Sequence, residues 1–241
     1  MLPLFAQSEL KDLIERVEQR TRLDFEAGVR MMQSKDILAL GYMANLIRER
    51  KHGNKTYFAV LPESNRPQDH EFQKIIAHNQ AIASNATYIY GQHEKAEDKV
   101  NHLLQFRELQ DKNGSFLSFS PLPFLSNEIK VEGNMGLEGT TGFEDLRMLA
   151  VSRILLDNID HIKAFWLFLG PKLAQVSLSF GVDDLDGQVV EDHASALAEK
   201  EQVMTKKSLI KMIHKARRQA IERDSLYQMI TDYGREGGLS E

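Results

Sequence analysis

Apolar positions Leu10, Leu13, Ile14 and Val17 recur at helical spacing behind Ser8, which predicts a first helix capped by that serine. A short second helix is expected from Asp24 to Met32. Ser34 is expected to cap a third, carrying Ile37, Leu38, Leu40, Met43, Ala44 and Ile47. Its basic end, RERK, runs into Gly53, which suits a helix stop by both charge and backbone freedom. The segment KTYFAVL reads as a strand, and PESNRPQDH, with two prolines, reads as the loop after it.

From residue 70 the pattern alternates between helix and strand, as in a parallel sheet with crossover helices. Helix 70 to 81 leads to strand 84 to 91 (SNATYIYG), and helix 96 to 112 to strand 115 to 124 (SFLSFSPLPF). Proline removes backbone donors, so Pro121 and Pro123 are expected to end that ladder in a turn shaping the rim of a pocket. After a glycine-bearing loop, 126 to 140, the spacing of Thr141 to Glu144 forms a capping box that opens the helix FEDLRMLAVSRILLDN. AFWLFLG follows as the most apolar strand. PKLAQVSLSFG fits either period and is read as the crossover helix that a parallel strand VDDLDGQV requires. Met204 to Lys215 forms an amphipathic helix, IERDSLY adds a short element, and DYGREGGLSE reads as a frayed tail.

Four clear strands and an isolated one near Tyr57 are too few to close an eight-stranded barrel. The expected fold is therefore α/β: an incomplete, partial TIM-type barrel of about four to five parallel strands with crossover helices and an N-terminal helical segment. The expected divisions are a helical segment at 1–55, a strand and proline-containing junction at 56–69, a half-barrel at 70–230 and a tail at 231–241. Open strand edges call for cover by the N-terminal helices or by another chain.

The chain has 241 residues, 42% hydrophobic and 27% charged, enough for a substantial core. Its net charge of −5, with both signs interspersed, provides no basic field for nucleic acid or an anionic membrane. No leader or spanning segment is apparent, so a cytoplasmic location is expected. There is no cysteine, which excludes disulfides, a thiol nucleophile and thiolate-held metal.

The candidate chemistry lies where barrel strands end. His93 and Glu94 follow strand 84 to 91 and suit substrate binding or proton exchange, although Glu94 equally suits the opening of the next helix. Asn85 and Thr87 share one face of their strand, placed either to meet a ligand or to pair within the sheet. Asp183, Asp184 and Asp186 in GVDDLDG can hold a cation, orient hydroxyls or accept a proton, and they also fit a solvated turn. Tyr90 also stands among the candidates. The histidines are scattered, and His70 and His78 are more than two turns apart on one expected helix, so no metal site is assigned. GNMGLEG lacks the lysine of a phosphate loop, and Trp166 in its apolar strand reads as core.

Several stretches resemble one family. ILALGYMANLIRERKHGNKTYF resembles the N-terminal approach of the radical S-adenosylmethionine enzymes that include aminofutalosine synthase, dehypoxanthine futalosine cyclase and the deazaflavin-forming synthases of coenzyme F420. The stretches SNATYIYGQHEKAEDKVNHLLQFRELQDKNGSF, TTGFEDLRMLAVSRILLDNIDHIKAFWLFLGPKLAQVSLSFGVDDLDGQVVED and IERDSLY resemble the C-terminal half, most closely that of aminofutalosine synthase. The resemblance implies a 4Fe-4S cluster on a CxxxCxxC loop, S-adenosylmethionine, and adenosyl radical addition to 3-(1-carboxyvinyloxy)benzoate on the futalosine route to menaquinone. It also implies a substrate-binding role for the loop of His93 and Glu94 and a pocket role for Pro121.

This chain departs from the family pattern after Phe58, where AVLPESNRPQD leads to the helix before SNAT with no cluster loop. The expectation is an internal deletion of the cluster-binding half. No cofactor is then expected for the chain alone, and activity would need a complementing half-barrel chain. Homo-oligomerisation, small-molecule binding and a non-catalytic substrate- or partner-binding remnant are the other expectations.

Overall fold

A computed structural model describes residues 3–60, 85–124, 139–191 and 203–234. The helix expected at 70 to 81 and the loop at 126 to 140, except for residues 139 and 140, lie outside the described residues.

Three helices open the chain: α1 (Lys11–Glu18), α2 (Phe25–Gln33) and α3 (Ile37–His52). Asp24 caps α2 through the Ala27 amide, and Asp36 caps α3 through the Ala39 amide. Ser8 and Ser34 are not the caps: each stands two residues before one, Leu10 and Asp36. Ser8 donates to Asp36 and Ser34 donates to Glu9, fastening the approach to α1 to the turn before α3. Gly53 ends α3 at φ 60, as its freedom in the left-handed region allows.

The strands are β1 (Lys55–Phe58), β2 (Asn85–Tyr90), β3 (Ser118–Pro123), β4 (His161–Phe165) and β5 (Asp184–Asp186). They are followed by a short parallel pair, β6 (Val189–Val190) with β7 (Met204–Thr205), and then β8 (Gln219–Arg223) and β9 (Met229–Asp232). Among the described residues the main sheet has seven strands in the order β2-β3-β4-β5-β1-β8-β9. All its pairings are parallel except that of β8 with β9. The strand around Tyr57 is therefore not isolated. It lies between β5 and β8, six parallel strands form among the described residues instead of four or five, and the first two residues of the expected frayed tail, Thr231 and Asp232, complete β9. The sheet is an open part of a TIM-type barrel.

Crossovers are made by α4 (Ala96–Asn113) between β2 and β3 and by α5 (Gly142–Leu155) between β3 and β4. Thr141 caps α5 in the expected box with Glu144, and Pro171 opens α7 (Pro171–Ser177), which resolves PKLAQVS as helix. AFWLFLG splits: β4 ends at Phe165, and Trp166–Leu169 make one helical turn, α6. The amphipathic helix α8 is Lys206–Lys215.

Pro121 and Pro123 lie inside β3 and pair with Tyr88 and Tyr90 of β2, so the ladder does not end before them. The amide of Phe124 donates to Tyr90, which places the even-numbered amides of β3 toward β2 and the odd-numbered ones toward β4. The donors lost at 121 and 123 are thus on the β4 side, where pairing stops after Phe119.

Alternation along the strands gives the sheet two different faces. Phe58, Ala86, Tyr88, Phe119, Ile162, Ala164, Leu185 and Ala220 are buried and join the helices in one core that includes α1 to α3. Among the described residues, the opposite, inner face carries a small separate apolar group with Leu122 and Phe165 at its centre, and Ile221 of β8 beside Tyr57. Charged and polar side chains fill most of its other positions.

Candidate functional site

The inner face concentrates charge on four adjacent strands. Lys163 of β4 and Tyr57 of β1 flank Asp184 of β5 in register, so the three side chains leave neighbouring strands on one face. Lys163 pairs with Asp186 at 2.9 Å. Arg223, at the end of β8, reaches Asp184 Oδ2 through Nε at 3.0 Å and Nη2 at 2.6 Å. Tyr227, in the turn between β8 and β9, donates to the same oxygen at 2.5 Å, with the Arg223 guanidinium 4.2 Å from its ring. Asp184 is fully buried, yet its Oδ1 has no hydrogen-bond partner.

Burial and charge tune these groups. Burial works against the Asp186 carboxylate, but Lys163 and Arg223 outweigh it and hold its pKa below the ordinary range. Burial, reinforced by the charge of Asp184, pushes the Tyr227 phenol well up. Tyr57 is pushed the same way, chiefly by burial.

Below this layer, at the N-terminal ends of β4 and β5, Asp183 forms a second centre. Arg153, fully buried at the end of α5, is bound to Asp183 Oδ1 and also donates to the carbonyls of Gly181 and Asp160. The Ile162 amide donates to Oδ1 at 2.8 Å, and Nδ1 of His161 stands 2.6 Å from Oδ2. The His161 ring stacks between His52, 4.7 Å away, and Tyr227, 3.6 Å away. Burial disfavours the Asp183 charge, yet Arg153 and the His161 hydrogen bond hold its pKa well below the carboxylate range. Burial lowers the pKa of His52.

His52, His161 and Asp183 are one histidine pair and one carboxylate within reach of a common ion. The distances describe a hydrogen-bonded hub instead. Donors that share an ion at about 2 Å stand roughly 3 Å apart, whereas His161 and Asp183 are at 2.6 Å. His52 Nε2 already meets the Asp160 carbonyl at 2.8 Å, and Arg153 occupies the carboxylate's other side.

The expected site residues do not gather at one point. Asp184 and Asp186 form the strand itself instead of lying beyond its end, and both are on the inner face. Asp183 belongs to the hub. Asn85 and Thr87 are on the inner face, joined at 3.1 Å, and Asn85 also accepts from Ser118 and Ser120 of β3. Tyr90 faces the helices, and its hydroxyl donates to Asp145 at 2.7 Å. Pro121, an odd-numbered residue of β3, alternates to the helix-facing side. His93 is exposed with φ 68, and Glu94 accepts from the amides of Gly91 and Gln92, closing its own turn.

Lys163, Arg223, Tyr227, Tyr57, His161 and His52 were not among the expected site residues. A signal existed for two of them: HIKAF places His161 and Lys163 at alternate positions of an otherwise apolar strand, which aims both at one face.

An open parallel half of a barrel, with charge on its inner face and helices outside, defines the class. Residues 113–234 match the family described as the CofH/MqnC C-terminal region, and the chain belongs to that family of radical S-adenosylmethionine enzymes. It is 43% identical over 162 residues to the aminodeoxyfutalosine synthase of Thermus thermophilus, covering 66% of this chain and 44% of that protein. It is 42% identical over 158 residues to the 5-amino-6-(D-ribitylamino)uracil–L-tyrosine 4-hydroxyphenyl transferase 1 of Methanosarcina mazei, covering 63% and 42%. The chain thus spans less than half the length of these curated relatives. The FeFe-hydrogenase maturase HydG from Carboxydothermus hydrogenoformans shares the fold, with a TM-score of 0.58 at 10% identity over 92% of this chain and 81% of that one.

Enzymes of this kind use a 4Fe-4S cluster, whose ligands are cysteine thiolates. None of the 241 residues is cysteine, and the hub's groups are already engaged, His161 with Asp183 and His52 with the Asp160 carbonyl. The residues present do not fit the cluster.

Proposed function

We propose that this chain acts as the substrate-side half of an aminodeoxyfutalosine synthase-like enzyme of futalosine-route menaquinone biosynthesis in the cytoplasm. It binds a small molecule against its inner face and generates no adenosyl radical alone. The carrying observation is a family C-terminal region with a charged inner face in a chain of 241 residues that contains no cysteine. Turnover then requires a cluster-bearing half supplied by another polypeptide. The outer sides of β2 and β9, which end the sheet among the described residues, are where such a half would pair. A second reading is a non-catalytic remnant that binds substrate or partner, favoured by the same lack of thiolates.

The test is S-adenosylmethionine cleavage after anaerobic reconstitution with iron, sulfide and a reductant, for the chain alone and with a cysteine-bearing N-terminal half of a family member. Cleavage only in the mixture supports the split enzyme. Binding of 3-(1-carboxyvinyloxy)benzoate without cleavage in either supports the remnant, and cleavage by the chain alone contradicts both.

A further inference from the structure

Between α7 and α8, on the helix-covered side of the molecule, lies an open groove of about 280 Å³. Its frame is fixed. α7 buries Ala174 and α8 buries Leu209 and Ile213 in the main core, and the Gln175 amide donates to the Met212 carbonyl at 2.7 Å, tying one helix to the other. Ser208, Lys211, Met212 and Lys215 recur at helical spacing, so α8 turns one stripe into the groove, and α7 faces it with Pro171 and Lys172. Three lysines therefore line one concavity. Among the described residues none of the three forms an ion pair or a hydrogen bond, and no carboxylate lines the groove. Ser208 accepts from the Thr205 hydroxyl at 2.9 Å, which leaves its own proton to donate. The chain as a whole carries a charge of −5, so the groove is a local reversal of sign. Like charges gathered without a counter-charge repel one another, and a bound anion removes that cost.

From this arrangement we infer that the groove between α7 and α8 binds a compact ligand carrying two or three linked phosphates. Ammonium groups are point charges with rotatable donors, which suit phosphate oxygens arrayed in several directions. The planar, bidentate grip on a carboxylate belongs to arginine, and no arginine lines the groove. A protein partner would need about 800 Å² of matched surface around an apolar anchor, and the apolar floor here is Pro171 and Met212 alone. Nucleic acid needs a basic field that follows many phosphates, and this one ends with three residues. The phosphates meet Lys172, Lys211 and Lys215 and accept from the Ser208 hydroxyl. No covalent bond is made or broken. The groove lies on the opposite side of the sheet from the charged inner face, so the inference is independent of the reading of that face.

The experiment titrates the whole chain, without iron or sulfide, with inorganic triphosphate, pyrophosphate and orthophosphate by calorimetry. Triphosphate is expected to bind once per chain, with orthophosphate weaker by at least about tenfold. Lys172→Ala, Lys211→Ala and Lys215→Ala should each weaken triphosphate by about threefold, and the triple variant by about tenfold or more. All three side chains are exposed, so the variants keep the core, as circular dichroism checks. Lys112→Ala, an exposed position on the crossover helix α4, is the control for diffuse charge and should change nothing. The inference is overturned by an absence of saturable triphosphate binding, by orthophosphate binding as tightly as triphosphate, or by unchanged affinity in the triple variant. An equal loss in Lys112→Ala, or tighter binding of a hexaglutamate peptide than of triphosphate, overturns it as well.

Discussion

Nδ1 of His161 donates to Oδ2 of Asp183 across 2.6 Å, while the other oxygen of that carboxylate is bound to the buried guanidinium of Arg153. Three elements meet at this one side chain: β4 through His161, α5 through Arg153 and the approach to β5 through Asp183 itself. The geometry makes Asp183 a structural hub under the inner face.

Replacing Asp183 by Asn leaves Arg153 buried beside a neutral group. The expected loss is about 3–5 kcal/mol of unfolding free energy at neutral pH. The folded-state pKa of Asp183 is depressed, so its contribution is complete above the unfolded value of about 4 and is lost as pH falls through the folded one. Urea denaturation of both proteins at pH 7 and pH 3 measures this. The gap between wild type and variant should narrow at the lower pH.

His52 titrates in a different window. Burial lowers its folded pKa, so the unfolded chain takes up the proton first. The stability associated with the neutral ring is complete above the unfolded value of about 6.5 and falls as pH drops through the folded one. His52→Gln should show a flatter dependence of melting temperature on pH between about 7 and 5 than wild type. Parallel curves would remove His52 from the account.

Gly187 has φ 148, and a Cβ there would lie 2.3 Å from Nε1 of Trp166. Gly187→Ala should cost about 1–3 kcal/mol, because the indole must shift within a packed site. The chain has a single tryptophan, so its emission reports the displacement directly. Unchanged emission and stability would show that the indole is not confined by this backbone.

Tyr90 and Asp145 join β2 to α5 in a buried pair. Tyr90→Phe removes the donor at 2.7 Å and is expected to lower stability by about 1–3 kcal/mol without altering ligand binding on the inner face. Burial raises the pKa of Asp145. Unchanged stability of this variant would show that the pair does not fasten β2 to α5.

Much of the fold could be read from local patterns. The capping box at Thr141, the stop at Gly53 and the crossover helix opened by Pro171 each depend on a few adjacent residues, and each formed where expected. Two errors came from pairings that local pattern does not encode. The strand at Tyr57 appears isolated until β5 and β8, more than a hundred residues away, pair with it. Pro121 reads as a ladder end unless it is known that β4 has already parted from β3.

The site was less legible for the same reason. The acidic run 183 to 186 stood out as a cluster, but a period of two sends Asp183 to the hub and Asp184 and Asp186 to the inner face. Their partners Lys163 and Arg223 lie 23 and 39 residues from the aspartates they bind.

The central claim is that this chain's own residues cannot hold the family's cluster. Iron and acid-labile sulfide should be measured after anaerobic reconstitution and desalting, together with the electron paramagnetic resonance spectrum of the reduced sample. The account predicts iron and sulfide far below one cluster per chain and no cluster signal. About four irons and four sulfides per chain with a reduced 4Fe-4S spectrum would contradict it.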